Sequence, residues 1–334
     1  MATNSDAARL LELAASISKS AQELHDALAS NASPFPSLDE DAQPIVLTGG
    51  ALAARDAILD AASEFYDRLL DPFTLLFRRG AHNNMVSLHA ISHFGIAGLV
   101  PVGGQTTVKS ISESIGLGED IVRRILQHAI SMRIFSQPEP SVIAHTKVLR
   151  FLVAQENRDW LRLQAEEMWP PAVKMLDALR KWPGSEEPNE TAFSLANNTN
   201  GSIYDAIAND PDRAVRFGSA MKAASAQEDY VGHLLDHYDW ASLGPAQVVD
   251  VGGSDGHTAY ALARRFHKLQ VVVQDMSPPP DEVVAAAGSS DDNNKDNGAA
   301  GRVRFMAHDF FQTQTVAAEV YHFRRVMHNW SDKY

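Results

Sequence analysis

The chain has 334 residues, 45% of them hydrophobic and 21% charged, with a formal net charge of -13. That composition suits a soluble globular protein long enough for two domains, and the acidic balance disfavours nucleic acid and anionic membranes as partners. The absence of cysteine excludes disulfides, thiolate metal sites and cysteine nucleophiles.

Residues 1–26 lack the basic start and unbroken apolar run of a signal peptide. No window reaches the roughly 20 apolar residues of a membrane span, so a cytoplasmic protein is expected. Residues 5–29 place Leu10, Leu13, Ile17, Leu24 and Leu28 near helical spacing. Residues 31–44 hold three prolines and read as a linker. A second helical pattern covers 52–77, interrupted near Pro72, with Ile58, Leu59, Phe65, Leu69 and Leu70 on or near one face. Another apolar helix is expected over 89–99. Its His89 and His93 stand four apart, a spacing at which two imidazoles can share a metal. No third ligand lies nearby in the sequence, which favours packing or surface roles, and no metal site is expected.

Residues 107–115 predict a short helix, Gly116 to Gly118 a tight turn, and 119–133 a second helix carrying Ile121, Ile125, Leu126 and Ile130. Two short strands follow, at 134–135 and 142–148, around Pro138 and Pro140. Helix, turn, helix and hairpin make the pattern of a winged helix-turn-helix. The pattern admits DNA binding through Arg123, Arg124 and Arg133, or a packing module. The acidic total and the lack of a broader basic patch favour packing.

A helix is expected over 158–182, ending at Pro183, then a charged loop over 184–190. Short helical pieces separated by Gly201 and Pro211 run over 194–221, and a longer helix over 223–237. At Gln247 the pattern changes: an apolar strand meets glycines, a helix covers 257–267, and a second buried strand, 270–274, ends at Asp275. This is a βαβ unit. Residues 288–301, rich in Ser, Asp, Asn and Gly, are expected to be a disordered insertion. Third and fourth strands are expected at 302–306 and 320–327. The fold class is α/β, with a helical winged-helix domain over 1–150 and a Rossmann-like domain over 151–334.

In Asp250-Val251-Gly252-Gly253-Ser254-Asp255-Gly256, glycine at a strand end permits a tight turn and a close ligand approach. The last glycine comes one position too early for a dinucleotide fingerprint. Asp275, 23 residues after Gly252 at the tip of the next strand, can accept both hydroxyls of a ribose. Together they point to a nucleoside-containing ligand; a buried turn and a surface carboxylate are the plainer alternative. Asp309 and Phe310, after the third strand, suit a carboxylate and a ring flanking a purine. His328, past the fourth strand, stands where ligands of open α/β sheets bind and suits a general base; a structural histidine is the alternative.

These segments resemble the plant and fungal small-molecule O-methyltransferases of the caffeate and flavonoid type. The motifs are residues 248–256, Gln274-Asp275-Met276, His308-Asp309-Phe310 and, above all, His328-Asn329-Trp330-Ser331-Asp332. The resemblance implies S-adenosylmethionine (SAM) as cofactor and a winged-helix domain used for homodimerisation and not for DNA. It implies that Gly252, Gly253 and Gly256 line the methionine and ribose portions. Asp275 would hold the ribose hydroxyls, Asp309 and Phe310 would contact the adenine, and Arg324 would stand for a SAM-contacting lysine. Phe217, Met221 and Ser225 match a pocket-lining pattern of relatives, with Ser225 on the cofactor side. His328 would remove the proton of a phenolic or polyketide-like hydroxyl as its oxygen attacks the methyl group. An unperturbed phenol has a pKa of about 10 and an imidazole about 6.5, so a base is useful.

Relatives continue beyond the position of Tyr334. The sheet is therefore expected to be incomplete, about four of the seven strands the resemblance implies, and the chain to be truncated, without the acidic residues that orient the catalytic histidine. A non-catalytic relative that dimerises or binds SAM, and a fold relative catalysing a non-methylating reaction, remain open as alternatives.

Overall fold

The computed structural model describes residues 4–226, 230–276 and 298–334. Contacts divide the chain into two compact units, one of residues 1–170 and 212–221, the other of residues 171–211 and 222–334.

The first unit opens with α1 (Asn4–Ser30) and α2 (Gly49–Leu69), which pack along one another. Leu13 and Leu28 of α1 are buried, as are Ala54 and Ala61 of α2. The expected α2 face is therefore only partly right: Leu59 and Leu69 are exposed, because the small alanines let α1 approach closely. The break at Pro72 is present. Asp71 caps α3 (Pro72–Arg79) by accepting from the Thr74 amide at 3.0 Å. α4 (His82–His93) ends before Gly95, whose φ of +61° turns the chain into a 3-10 helix, Ile96–Leu99.

The winged-helix layout is present, with one strand the sequence did not reveal. β1 (Gln105–Thr107) precedes α5 (Val108–Ile115) and α6 (Glu119–Ser131). It joins β2 (Phe135–Ser136) and β3 (Val142–His145) in an antiparallel sheet of order β1-β3-β2. Three residues of Gln and Thr carry no apolar alternation, which is why β1 is silent in the sequence. Thr107 caps α5 through the Ser110 amide, and Gly116, at φ +70°, ends it. Val108, Ile111, Val122, Leu126, Phe135 and Ile143 form the core of this region.

α7 (Lys147–Phe151) and α8 (Gln155–Arg162) follow. The single helix expected over 158–182 is broken. A π-helical turn, Leu163–Met168, leads into α9 (Trp169–Ala172), where Pro170 and Pro171 offer no amide, and α10 (Met175–Lys181) starts afresh. Glu167 in the π turn is buried. It accepts from Arg213 Nε at 3.0 Å and from Arg216 Nη2 at 2.7 Å. Both arginines belong to the first-unit part of a later helix, α13.

α11 (Ala192–Asn197), α12 (Ile203–Ala208) and α13 (Pro211–Ala226) are the expected short pieces. Ser202 and Asp205 form a reciprocal capping box on α12. α14 (Tyr230–His237) leads to the second unit's sheet. That sheet consists of β4 (Gln247–Val251), β5 (Gln270–Asp275), β6 (Val303–Ala307) and β7 (Val320–Phe323), with α15 (His257–Arg265) linking the first two. All pairings are parallel, in the order β6-β5-β4-β7. Successive residues of the central strands pack on opposite faces. Val248, Val271 and Val273 meet Tyr260 and Leu262, whereas Val249, Val251 and Val272 meet Val316 and Phe310. Burial on both faces is what an apolar run in a parallel sheet requires.

Two expectations need correction. Ala299, inside the segment expected to be disordered, is fully buried with the α15 core; residues 288–297 of that segment lie outside the described residues. β7 ends at Phe323 and does not reach Met327. Arg325 has φ +53°, which no strand tolerates, and Met327–Asn329 is a 3-10 turn. Among the described residues no helix is long and apolar enough to cross a membrane.

Removing one partner of a buried ion pair leaves the others uncompensated. Glu167→Ala should therefore destabilise the first unit by about 3 kcal/mol, read by urea denaturation with a probe in that unit; a change below about 1 kcal/mol would show that the pair is replaced by water.

Candidate functional site

Parallel pairing brings the carboxyl ends of four strands to one edge of the sheet. β4 to β6 run outward in one direction while β7 lies on the other side of β4, so the winding reverses between β4 and β7. Ligands of open α/β sheets bind in that crevice.

The turn after β4 is built from the residues singled out in the sequence. Gly252 has φ +72° and Gly256 φ +77°, conformations that favour glycine. Space adds a second demand. A Cβ on Gly252 would lie 2.7 Å from Val326 Cγ2, one on Gly253 2.7 Å from Asp250 Oδ2, and one on Gly256 2.8 Å from Phe305 Cζ. The glycines thus serve the packing of the turn against β5, β6 and the segment after β7, whatever ligand lies beyond. Ser254 occupies the left-handed region at φ +50°. Beneath the turn, buried Asp250 pairs through Oδ1 with His322 Nδ1 at 2.8 Å, and its other oxygen has no protein partner.

The tip of β5 is tied to this turn. The Gly252 amide donates to Gln274 O at 2.7 Å, and the Ser254 amide donates to Asp275 Oδ2 at 3.0 Å. Asp275 Oδ1 accepts from the Met276 amide at 2.8 Å. Each carboxylate oxygen retains acceptor capacity, enough for a vicinal diol. The Asp275 carbonyl accepts from the His308 amide at 2.9 Å, which brings the end of β6 alongside. Asp309 turns back on its own chain, Oδ1 accepting from the Phe311 amide at 3.0 Å. Phe310 packs at the β-sheet face with Val316 and contacts Phe311, with ring centroids 4.5 Å apart.

Arg324, just past β7, donates from Nη1 to His257 Nε2 at 3.2 Å, and His257 Nδ1 lies 3.0 Å from Asp255 Oδ1. An arginine only donates, so Nε2 is the acceptor and the ring proton sits on Nδ1, given to Asp255. That hydrogen bond outweighs burial and holds the Asp255 carboxyl below the ordinary carboxylate value. Asp255 and His257 were not among the expected site residues; their signal was a His at the start of the helix and an Asp inside the glycine motif.

His328 is exposed on the 3-10 turn and has no hydrogen-bond partner among the described residues. Its neighbours are well held. Trp330 stacks on Tyr204 at 6.0 Å and meets the edge of Phe311 at 4.6 Å. Burial pushes the Tyr204 phenol up, against a hydrogen bond with Asn329 that acts to lower it. Ser331 Oγ donates to Glu186 O at 3.1 Å, and Glu187 accepts from Lys333 and from Tyr334 Oη. Tyr204, Glu186 and Glu187 lie over a hundred residues before the histidine motif, and no local pattern links them to it. Phe217 and Met221 lie on α13 in the first unit; the Ser225 side chain lies outside the described residues.

A family model described as the O-methyltransferase domain matches residues 178–334. The O-methyltransferase PaMT of Phomopsis amygdali is 40% identical over 330 residues, 98% of this chain and 75% of that protein. The O-methyltransferase VdtC of Byssochlamys spectabilis is 33% identical over 308 residues, 89% of this chain and 69% of that protein. The crystal structure of OxaC in complex with SAH and oxaline superposes with a TM-score of 0.69 at 21% identity, over 96% of this chain and 78% of that one. At that identity the likeness is one of fold.

Two outcomes check the turn. Gly256→Ala should cost about 2–5 kcal/mol, strain plus overpacking against Phe305. Gly298→Ala, at φ +73° in open space, should cost only the strain, about 1–2 kcal/mol; equal costs in denaturant unfolding would remove Phe305 from the account. For Asp255, a lowered pKa means a contribution to stability that is full above the ordinary carboxylate range. That contribution is lost as pH falls through the lowered value. In His257→Ala, carboxyl NMR should find Asp255 titrating closer to 3.8, its ordinary value.

Proposed function

The chain belongs to the O-methyltransferase family, and we propose that it methylates a hydroxyl of a phenolic or polyketide-like secondary metabolite with SAM as donor. The observation that carries the reading is the join between the glycine turn and Asp275, at 3.0 Å from the Ser254 amide. It leaves a carboxylate with spare acceptor capacity beside a turn on which no side chain stands at Gly252, Gly253 or Gly256, the chemistry a ribose-bearing cofactor needs.

When bound, SAM supplies a methyl group on a positively charged sulfur, open to attack by an oxygen nucleophile. Asp275 takes the ribose hydroxyls, and the glycine turn admits the remainder close to the backbone. Asp309, Phe310, Arg324 and Ser225 complete the cofactor side, while Phe217 and Met221 contribute to the acceptor pocket. His328 accepts the hydroxyl proton as the acceptor oxygen turns into a nucleophile. The Tyr204–Trp330 stack and the Glu186 and Glu187 ties position the segment that carries it. Alignment of the reacting atoms supplies much of the remaining acceleration.

The first unit serves homodimerisation in this reading. Phe73, Leu76 and Phe77 of α3 expose their apolar side chains in the single chain and suit burial against a second copy. Small polar acceptors and the absence of any spanning helix among the described residues fit a cytoplasmic enzyme.

Transfer of labelled methyl from SAM to a panel of phenols tests the reading. His328→Ala should lower kcat by about 10²–10⁴ and leave SAM affinity, measured by calorimetry, within a few fold. Asp275→Ala should weaken SAM binding by more than about tenfold, since it deletes charge-assisted hydrogen bonds. A wild-type chain that binds SAM and methylates no hydroxyl would sink the transfer reading and leave cofactor binding standing.

A further inference from the structure

His89 and His93 stand one turn apart on α4, and the fold brings them a third candidate ligand that the sequence hides 73 residues away. Glu166 Oε1 lies 3.2 Å from His93 Nδ1 and 3.9 Å from His89 Nε2. All three ligand atoms lie within 4.8 Å of one another. The imidazole rings meet edge to face, with centroids 5.7 Å apart, and Trp169 flanks His89. All four residues belong to the first unit.

We propose that His89, His93 and Glu166 form a binding site for a divalent transition ion of the zinc class, with water as the fourth ligand. At metal–ligand distances of about 2.0–2.1 Å a tetrahedral site has ligand-to-ligand edges of about 3.3–3.4 Å. The His93–Glu166 edge already meets this, and the others close with a movement of roughly an ångström about the histidine side-chain torsions. Both histidines are well exposed, 39% and 54% for their side chains, so that movement meets little packing.

The geometry of Glu166 comes from the π turn, Leu163–Met168. The wider turn lets consecutive glutamates serve different partners: Glu167 is turned to Arg213 and Arg216, and Glu166 to the histidines. Arg162 holds Glu166 through both oxygens at 3.0 Å, and Arg216 Nη2 stands 3.7 Å from Oε2. Burial works to raise the Glu166 carboxyl, and the bonds from Arg162 and His93 outweigh it, so the group stays ionised below the ordinary range. Hydrogen-bonded carboxylates of this kind are the usual second layer around a metal ligand.

The arginines also decide which ion fits. Glu166 and Glu167 carry two negative charges against three from Arg162, Arg213 and Arg216. A cation held by charge and oxygen alone, such as Mg²⁺ or Ca²⁺, gains little there. Affinity rests on two imidazole lone pairs, which select zinc-class ions. In the metal-free site the proton between His93 Nδ1 and Glu166 Oε1 holds the place of the ion, so binding exchanges a proton for the metal.

The test uses the full chain without an affinity tag. Calorimetry with Zn²⁺ should show one saturable site. Co²⁺ should give the visible absorption of a tetrahedral ion, displaced by Zn²⁺, and Mg²⁺ should give no heat. Loss of a direct ligand costs at least what loss of a second-layer partner does, so His89→Ala and His93→Ala should each weaken Zn²⁺ binding by more than about tenfold. Both side chains are exposed, so thermal melts without metal should match the wild type. His233→Ala, which removes one of another histidine pair four apart on α14, should leave binding unchanged. Absence of saturable Zn²⁺ binding by the wild type, or wild-type affinity in both His89→Ala and His93→Ala, would overturn the site and leave a histidine–glutamate ion pair.

Discussion

The second unit hangs on β4. This strand pairs in parallel with β5 on one side and β7 on the other, and its residues are buried on both faces. A strand so enclosed cannot shift its register without moving two neighbours and two layers of core. Its end is therefore a fixed point, and the chain must leave it within a space bounded by Val326, Val273 and Phe305. Only residues without a side chain fit that exit. Once the turn is made, its amides meet Gln274 and Asp275 at the tip of β5, and the β5 carbonyl meets His308. The cofactor side follows as a chain of constraints from one buried strand.

How much of this the sequence disclosed differs from region to region for physical reasons. The βαβ unit was legible because a doubly buried parallel strand is an apolar run and its exit demands glycine. The helix–turn–helix was legible through its caps, Thr107 and Gly116. β1 was not, since an edge strand of three polar residues is held by backbone bonds that any side chain permits. The break within 158–182 was missed because the apolar spacing survives a π turn and two prolines, while the backbone does not. In α2, large apolar residues were taken for the buried face; alanines form it instead, as close helix approach rewards small side chains.

The site shows the same division. The glycines, Asp275 and Arg324 sit at strand ends, where position follows from the strand pattern. The partners that fix the histidine segment do not: Tyr204, Glu186 and Glu187 reach Trp330, Ser331, Lys333 and Tyr334 across more than a hundred residues. Glu166 is a similar case, beside His89 and His93 only in space. Long-range polar contacts leave no periodicity, so residue types alone cannot announce them. The shortened β7 has the same root: the left-handed backbone at Arg325 ends the ladder where the side-chain pattern would have continued it.

The π turn over Leu163–Met168 has a consequence for phase. In a regular helix each residue advances the chain by about 100°, so the direction of a side chain is a running count of the residues before it. The wide turn resets that count between α8 and α9. Removing one residue there would restore the regular count and rotate everything that follows, taking Glu166 and Glu167 out of their separate alignments together. The length of this segment is thus information in its own right. A substitution within it alters one contact, whereas a single insertion or deletion alters the direction of every contact downstream until the prolines at Pro170 and Pro171 start the count again.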